Sequence, residues 1–364
     1  MSDDIFDDSS WNEFCDNLKN VGQQILRNAP DSELDTAEGF RYLARITSHA
    51  LGRFVERPNP LRPQISYISP RIGGDNPDFL YGSCTISGEH DYVLRGNREQ
   101  AYNVGIGSYY GGLGSGKGLL CSGYLLLNDL EMDAMGNFEI QVSREEKPGN
   151  WLPILAESNS ILIRQTLLNR AVDAPANIAI QCLAGEQART CPEPLRAEVF
   201  EKSLQLAGIF IGGVVGQFLN WTNTFKANTN QIHPLDPSLL AFAEGDPNTR
   251  YNNGYFELAE GEVLVVELSP PQCEYWNLQV TNHWLESLDY MDYRTHYNHD
   301  NARVDDDGKV RLYIAKDDPG LPNWIDTAGH DRGGIALRWI KAEGEAGVTT
   351  RVLTQEALRA EGAS

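Results

Sequence analysis

No two cysteines in this sequence form a Cys-x-x-Cys pair. The six are Cys15, Cys84, Cys121, Cys182, Cys191 and Cys273. Zinc-ligand spacings and a disulfide framework are both missing, so the thiols read as mostly buried and free in a reducing cytoplasm. Positive charge is scarce as well: Lys plus Arg number 30 against 51 Asp plus Glu, a formal net charge of -21. Such a surface repels phosphate backbones and anionic lipid, which argues against nucleic-acid or membrane partners. The N-terminus, MSDDIFDDSSWNEF, lacks the basic and apolar regions of a secretory signal. Long apolar runs are absent too. The best, Leu206–Leu219, covers about 14 residues, short of the roughly 20 that a membrane span needs. Its glycines, Gly208, Gly212 and Gly216, stand at GxxxG spacing. They suit a buried helix that lets another backbone approach.

What is present is a chain of 364 residues, 41% hydrophobic, with 34 Gly and 18 Pro. That length suggests two domains or three, and the turn-rich composition leans towards β structure. Apolar residues at a 3.6 period predict helices over Trp11–Arg27 and Thr36–Val55, the second with Asp35 or Thr36 as N-cap and Phe40, Leu43, Ile46, Ala50, Leu51 and Phe54 on its apolar face. From Ile65 to about Leu183 short alternating runs predict strands. A further helix is expected over about Glu193–Trp221, strands again from Tyr255 to Ile340, and a short helix near Gln355–Arg359.

The chain repeats itself at an offset of about 173 residues. Asp133-x-x-Gly136 matches Asp305-x-x-Gly308, both read as hairpin turns. Pro148-Gly-Asn-Trp151 matches Pro319-Gly-x-x-Asn-Trp324, and Ile163-Arg164 matches Leu337-Arg338. The fold class expected is mainly β with helices (α+β): two related β-sandwich or jelly-roll-like units, each preceded by a helix. The boundaries are N-terminal helices over 1–57, a first β unit over 58–187, a connecting helical region over 188–249, a second β unit over 250–342 and a tail over 343–364.

Five segments carry a family resemblance: Asp318–His330 (DPGLPNWIDTAGH), Arg338-Trp339, Tyr275–Gln279 (YWNLQ), Trp284–Asp289 (WLESLD) and Asp75–Tyr81 (DNPDFLY). Together they resemble the bacterial family called domain of unknown function 1214, with its signature over roughly 250 to 342. The Asp75–Tyr81 segment is similar to the partner family, domain of unknown function 1254, that often precedes it. The resemblance implies a β-sandwich fold and assigns no catalytic residue.

Gly111–Gly118 (GGLGSGKG) nearly spells a phosphate-binding loop, but Gly118 stands where a hydroxyl is needed and the continuation reads as strand. A glycine-rich loop beside a cleft, able to move over a ligand, is expected instead. The Asp305–Asp307 run lacks the other oxygen ligands of a calcium loop.

The repeat acts as a sieve. Features in both halves, including Arg164 and Arg338, are expected to serve the fold. Polar residues in one half only are the candidate site: Asp75, Asn76, Asp78 and Tyr81 in the first, and Asn282, His283, Trp284, Glu286, Asp289, Asp326 and His330 in the second. Asp78, His283, Glu286, Asp326 and His330 are the candidate acid–base residues. Asp75, Asn76, Tyr81, Trp276, Asn282, Trp284 and Asp289 are the candidate substrate-binding residues. Asn277, Gln279, Thr281 and His283 share one strand face that reads as pocket wall or solvent.

Three functions fit. The first is an enzyme acting on a small polar or hydroxylated, sugar-like molecule at the interface of the β units, by hydrolysis or elimination and without a cofactor. The second is a non-catalytic module for a saccharide or other small-molecule ligand. The third is a metal-dependent jelly-roll enzyme built on His296 and His299 with Asp289 or Asp292. The sequence does not specify the oligomeric state.

Overall fold

The computed structural model describes residues 7–56, 58–185, 191 and 194–362. The expected boundary at 187–188 and the expected helix start at Glu193 lie outside the described residues.

The chain opens with two helices, α1 (Ser9–Asn28) and α2 (Glu33–Ala50), and α2 runs on into a π-helical turn, Leu51–Val55. The N-cap of α2 is Ser32, whose hydroxyl accepts the Asp35 N–H, rather than Asp35 or Thr36. Its buried face is also turned from the expected one. Asp35, Glu38, Tyr42, Ile46 and Ala50 point inward, while Phe40 is 42% exposed.

The first β unit follows. It contains β1 (Phe79–Thr85), β2 (Tyr92–Asn97), β3 (Asn103–Gly111), β4 (Leu119–Leu126), β5 (Asn137–Ser143), β6 (Trp151–Pro153), β7 (Ser158–Thr166) and β8 (Asn177–Cys182). A long helix, α3 (Ala197–Lys226), leads through β9 (Ile232–Pro234) and the short α4 (Pro237–Leu240) into the second unit. That unit contains β10 (Thr249–Glu257), β11 (Glu262–Ser269), β12 (Tyr275–Val280), β13 (His296–Asn298), β14 (Val310–Ala315), β15 (Trp324–Asp326), β16 (Arg332–Ile340) and β17 (Gly347–Thr354), before α5 (Gln355–Gly362).

The two units have one topology. The sheet β1-β7-β3-β4 corresponds strand for strand to β10-β16-β12-β13, to which β9 adds an outer edge, and β6-β5-β2-β8 corresponds to β15-β14-β11-β17. Even the single parallel pair recurs, β5 with β6 and β14 with β15. The repeated sequence signals do the same work in both copies. Asn150 Nδ2 donates to the carbonyls of Glu131 and Glu139, and Asn323 Nδ2 donates to those of Arg303 and Arg311. Trp151 Nε1 donates to Ser143 O and Trp324 Nε1 to Ala315 O. The Asp133 and Asp305 turns close with the same bonds, from Gly136 N–H to Asp133 O and from Gly308 N–H to Asp305 O. These turns lead into β5 and β14 but are not preceded by strands, so they are not hairpins. The tail expected over 343–364 is partly structural: β17 pairs with β11 along its length and belongs to the second unit.

Each unit has its own apolar core between its sheets. Alternation along β7 puts Ile161 and Ile163 into the first core, and alternation along β16 puts Ile335, Leu337 and Trp339 into the second. Arg164, next after Ile163, and Arg338, between Leu337 and Trp339, have the opposite parity and emerge on the outer faces of these two sheets.

The helices form a third core that takes in Tyr255, Trp284 and Leu285 from the second unit. By length and composition α3 is apolar enough to cross a bilayer. Here Phe210, Val214, Phe218 and Trp221 are buried, and the glycine face meets α1. A Cβ on Gly208 would stand 2.7 Å from the Asn17 side chain. The glycines at GxxxG spacing meet side chains of α1 rather than another backbone; the close backbone approach is at Gly213 on α3, against Gly114. The glycine-rich loop after β3 lies on the same helix: Gln217 Oε1 accepts the Gly114 N–H at 3.0 Å, and a Cβ on Gly114 would come within 2.4 Å of Val214 N.

Candidate functional site

The two outer sheet faces and α3 enclose a cavity of about 230 Å³. The sheets contribute Arg164, Arg338, Tyr81 and Tyr251. Helix α3 contributes Phe210, Phe218 and Trp221, and the glycine-rich loop contributes Leu113. His49 and Arg53 also line it. They belong to the end of α2 and its π-helical turn, and both line a neighbouring, more open pocket as well. That shared rim marks the mouth. A π-helical turn beside a cavity is a recurrent feature of functional sites.

Register explains why the arginines face one space. Arg164 lies directly across from Tyr81 on β1, and Arg338 directly across from Tyr251 on β10. These are equivalent positions in the two copies, brought together by the packing of one unit on the other. A small apolar cluster of Phe79, Tyr275 and Ile340 joins the units beside them.

The arginines are not equivalent in their bonding. Arg338 is 7% exposed. It donates to Gln279 Oε1 at 2.9 Å and to the Gly74 carbonyl. Arg164 donates to Tyr109 Oη at 2.9 Å and stacks over that ring. Among the described residues it forms no ion pair with a carboxylate. A guanidinium stays protonated at any ordinary pH, so Arg164 brings a positive charge to the cavity without a directly paired carboxylate.

Several other titratable groups at the cavity are held neutral or used locally. Burial, reinforced by Arg53, lowers His49 to about 4, so its imidazole is uncharged at neutral pH. Burial pushes Tyr81 up to about 12. It also raises Asp75 above its ordinary range, although both Asp75 oxygens accept bonds from Ser287. Glu244 accepts the Cys121 N–H at 2.6 Å, and Asp246 caps its own turn at Asn248.

Of the residues singled out from sequence, only Asp75 and Tyr81 line this cavity. The rest lie elsewhere. Asn76 and Asp78 enter a buried polar seam between the units. Asp78 accepts from Tyr275 Oη at 2.7 Å, from His296 Nε2 at 2.9 Å and from Asn298 Nδ2 at 3.0 Å. Asn76 exchanges bonds with Asn277 and donates to Tyr275. The strand face of Asn277, Gln279, Thr281 and His283 is therefore neither solvent nor open pocket wall. All four are at most 2% exposed, and each is hydrogen-bonded.

Glu286, Asn282 and His330 lie beneath α2. Arg45 Nη1 donates to Glu286 Oε1 at 2.7 Å and Asn282 Nδ2 to Glu286 Oε2 at 3.0 Å. Burial is the main influence on the Glu286 carboxyl and raises it. His330 bonds Glu38 on α2 and the Thr327 carbonyl. It does not pair with Asp326, whose carboxylate accepts the Ala328 N–H instead.

His283 packs under α3, its Nδ1 2.8 Å from Tyr255 Oη. Burial, with Lys226 nearby, lowers it to about 4. Trp284 fills the helical core and donates to Asp35 O. Trp276 packs on Trp339 inside the second sandwich. Asp289 is a surface partner of Arg71 at 3.4 Å. The metal set read from sequence does not assemble either. His296 is bonded to Asp78, while His299 packs between Tyr102 and Tyr275.

Sequence reasoning set aside Arg164 and Arg338 because both halves carry them. It also missed Arg53, His49, Glu38 and Arg45. The signal for Glu38 was present: Asp35, Glu38 and Tyr42 keep helical spacing with Ile46 and Ala50.

A protein of unknown function from Burkholderia cenocepacia, known from its crystal structure, is 35% identical over 96% of this chain and 98% of its own, with a TM-score of 0.91. The family model described as "Protein of unknown function (DUF1214)" matches residues 259–343. The chain belongs to the DUF1214 family. The matched segment runs from β11 to just beyond β16 and so carries Arg338, Gln279 and the Asn282–Glu286 turn. The VPA0106 protein from Vibrio parahaemolyticus shares the fold at 10% identity and a TM-score of 0.50, over 94% of this chain and 99% of that one. No curated protein matches this sequence.

Proposed function

We propose that this member of the family binds a small organic anion, such as a carboxylate with an apolar body, in the cavity between its β units. The supporting observation is Arg164: a partly buried guanidinium that faces the cavity and has no carboxylate partner among the described residues. Burying such a charge costs free energy unless something pairs with it. An anionic ligand supplies the pair, through bidentate bonds that suit a planar carboxylate. The rings of Phe210, Phe218 and Trp221 on α3 suit an apolar body better than a bare saccharide. The ligand enters between the π-helical turn and the segment around Ser69 and Pro70.

Turnover of that ligand is the second reading, and it rests on two groups at the same cavity. His49 is neutral at physiological pH, and the Asp75 carboxyl is raised by burial. A neutral imidazole and a carboxyl raised by burial are the groups at the cavity suited to exchange protons with a bound molecule. Protein purified under native conditions and analysed by mass spectrometry tests both readings. A co-purifying organic acid supports binding, and its conversion on incubation supports catalysis. If each of a broad set of organic acids fails to bind, both readings fall.

A further inference from the structure

The polar cluster beneath α2 has a composition that the cavity does not use. Asp35 and Glu38 stand three apart on one face of α2. The loop after β15 brings His330 against them, turning through Ala328 and Gly329, both at positive φ. The three side chains are 3%, 6% and 5% exposed. One ligand-type atom from each lies within 4.8 Å of the others.

Each group is set up for a cation. His330 Nδ1 lies 2.8 Å from the Thr327 carbonyl, which can only accept, so Nδ1 carries a proton and Nε2 points at the carboxylates. A metal-binding histidine is fixed in this way by a backbone carbonyl behind it. Glu38 Oε2 is 2.8 Å from that Nε2. A protonated His330 would satisfy Glu38 alone, because Asp35 Oδ1 is buried and has no hydrogen-bond partner among the described residues. A divalent ion in the gap would serve all three. Ligand atoms around a shared tetrahedral ion stand about 3.4 Å apart, inside the range the cluster spans.

We propose that Asp35, Glu38 and His330 form a binding site for one divalent transition-metal ion. Two carboxylates and an imidazole select a borderline ion such as Zn²⁺ or Co²⁺ over Ca²⁺, which prefers more oxygens, and over soft ions that need thiolate. The site ties α2 to the second β unit. Since α2 carries His49 and continues into the turn bearing Arg53, the ion fixes the frame of the cavity mouth. This site stands independently of the ligand proposed for the cavity.

The test uses the full chain without a polyhistidine tag, stripped with chelator and titrated with Zn²⁺ and with Co²⁺. The expected result is one tight equivalent per chain, a rise in the thermal midpoint, and visible Co²⁺ bands of a nitrogen- and oxygen-ligated ion. Asp35→Asn and His330→Gln should each lose the equivalent and the thermal rise. Asp35→Asn leaves the Glu38–His330 bond in place, so its metal-free midpoint should stay near that of the wild type and show that it folds. No tight equivalent in the wild type, or equal uptake by wild type and folded Asp35→Asn, would overturn the proposal; the latter would assign the metal to the acidic surface.

Discussion

Arg164 and Arg338 occupy the same position in two copies of one fold, each directly across from a tyrosine, and both face one cavity. The cavity lies between the two units, so the repeated arginine faces the same space as its own equivalent. The two have then diverged in bonding. Arg338 is tied to Gln279 and Gly74, whereas Arg164 has a tyrosine and the cavity.

That divergence predicts opposite responses to substitution. Arg164→Gln removes a partly buried charge that has no carboxylate partner among the described residues, so unfolding in urea should show unchanged or higher stability, as for other sites that trade stability for function. Arg338→Gln orphans the Gly74 carbonyl and disturbs Gln279. It should destabilise by about 2–4 kcal/mol. Equal losses in both variants would contradict the assignment of Arg164 to a ligand.

The seam around Asp78 is structural in this account. Asp78→Ala leaves the buried donors of Tyr275, Asn298 and His296 without an acceptor. A loss of about 3 kcal/mol or more is expected. Asp78→Asn keeps the shape and should cost less. Ligand affinity at the cavity should change little in Asp78→Asn, measured by titration calorimetry. A large fall in affinity without a fall in stability would move the site to Asp78.

Acid should weaken the protein through His283. Its folded pKa of about 4 lies below the ordinary value of 6.5 because burial and Lys226 disfavour the charged form. The unfolded chain therefore binds more protons between these values, and stability falls as the pH drops through 6.5 towards 4. Between pH 6.5 and pH 5 this one group contributes a loss of roughly 2 kcal/mol. His283→Gln should flatten that limb of the stability curve. An unchanged slope in the variant would show that His283 is already charged in the fold.

The glycine-rich loop covers the cavity only because Gly114 lies against the α3 backbone. In Gly114→Ala the new Cβ would meet Val214 N at 2.4 Å, at a φ of +69° that disfavours a side chain. The loop should lift. The expected result is faster ligand release in stopped-flow measurements, with the melting midpoint lowered by only a few degrees. A collapse of stability would show that the loop is part of the core.

The duplication was legible in the sequence because turn and corner chemistry is local. Asp-x-x-Gly and Asn-Trp each fix a few residues of backbone and recur with the same bonds in both copies. Sheet order was not legible, since β1 pairs with β7 rather than with β2, and such pairings depend on the whole chain. The cavity between the units was not legible for a related reason. Symmetry between the halves suggests a structural role for Arg164 and Arg338 when the copies are considered apart, but their outer sheet faces line one cavity. The residues that break the symmetry, Asn76, Asp78, Asn282 and Glu286, mostly join the units to each other and to α2. Their polarity reads as a pocket wall until the partners Tyr275, His296 and Arg45, remote in sequence, supply their bonds.

The most direct measurement is a thermal-shift and calorimetric titration of wild type and Arg164→Gln with a panel of small alkyl and aryl carboxylates. The account predicts that at least one carboxylate raises the wild-type midpoint, because a ligand that binds only the native state stabilises it. It also predicts that Arg164→Gln, folded and as stable as wild type, binds that carboxylate about 10–100-fold more weakly, the loss of one charge-assisted bond. Binding of equal strength in both proteins, or no binding across the panel, would contradict it.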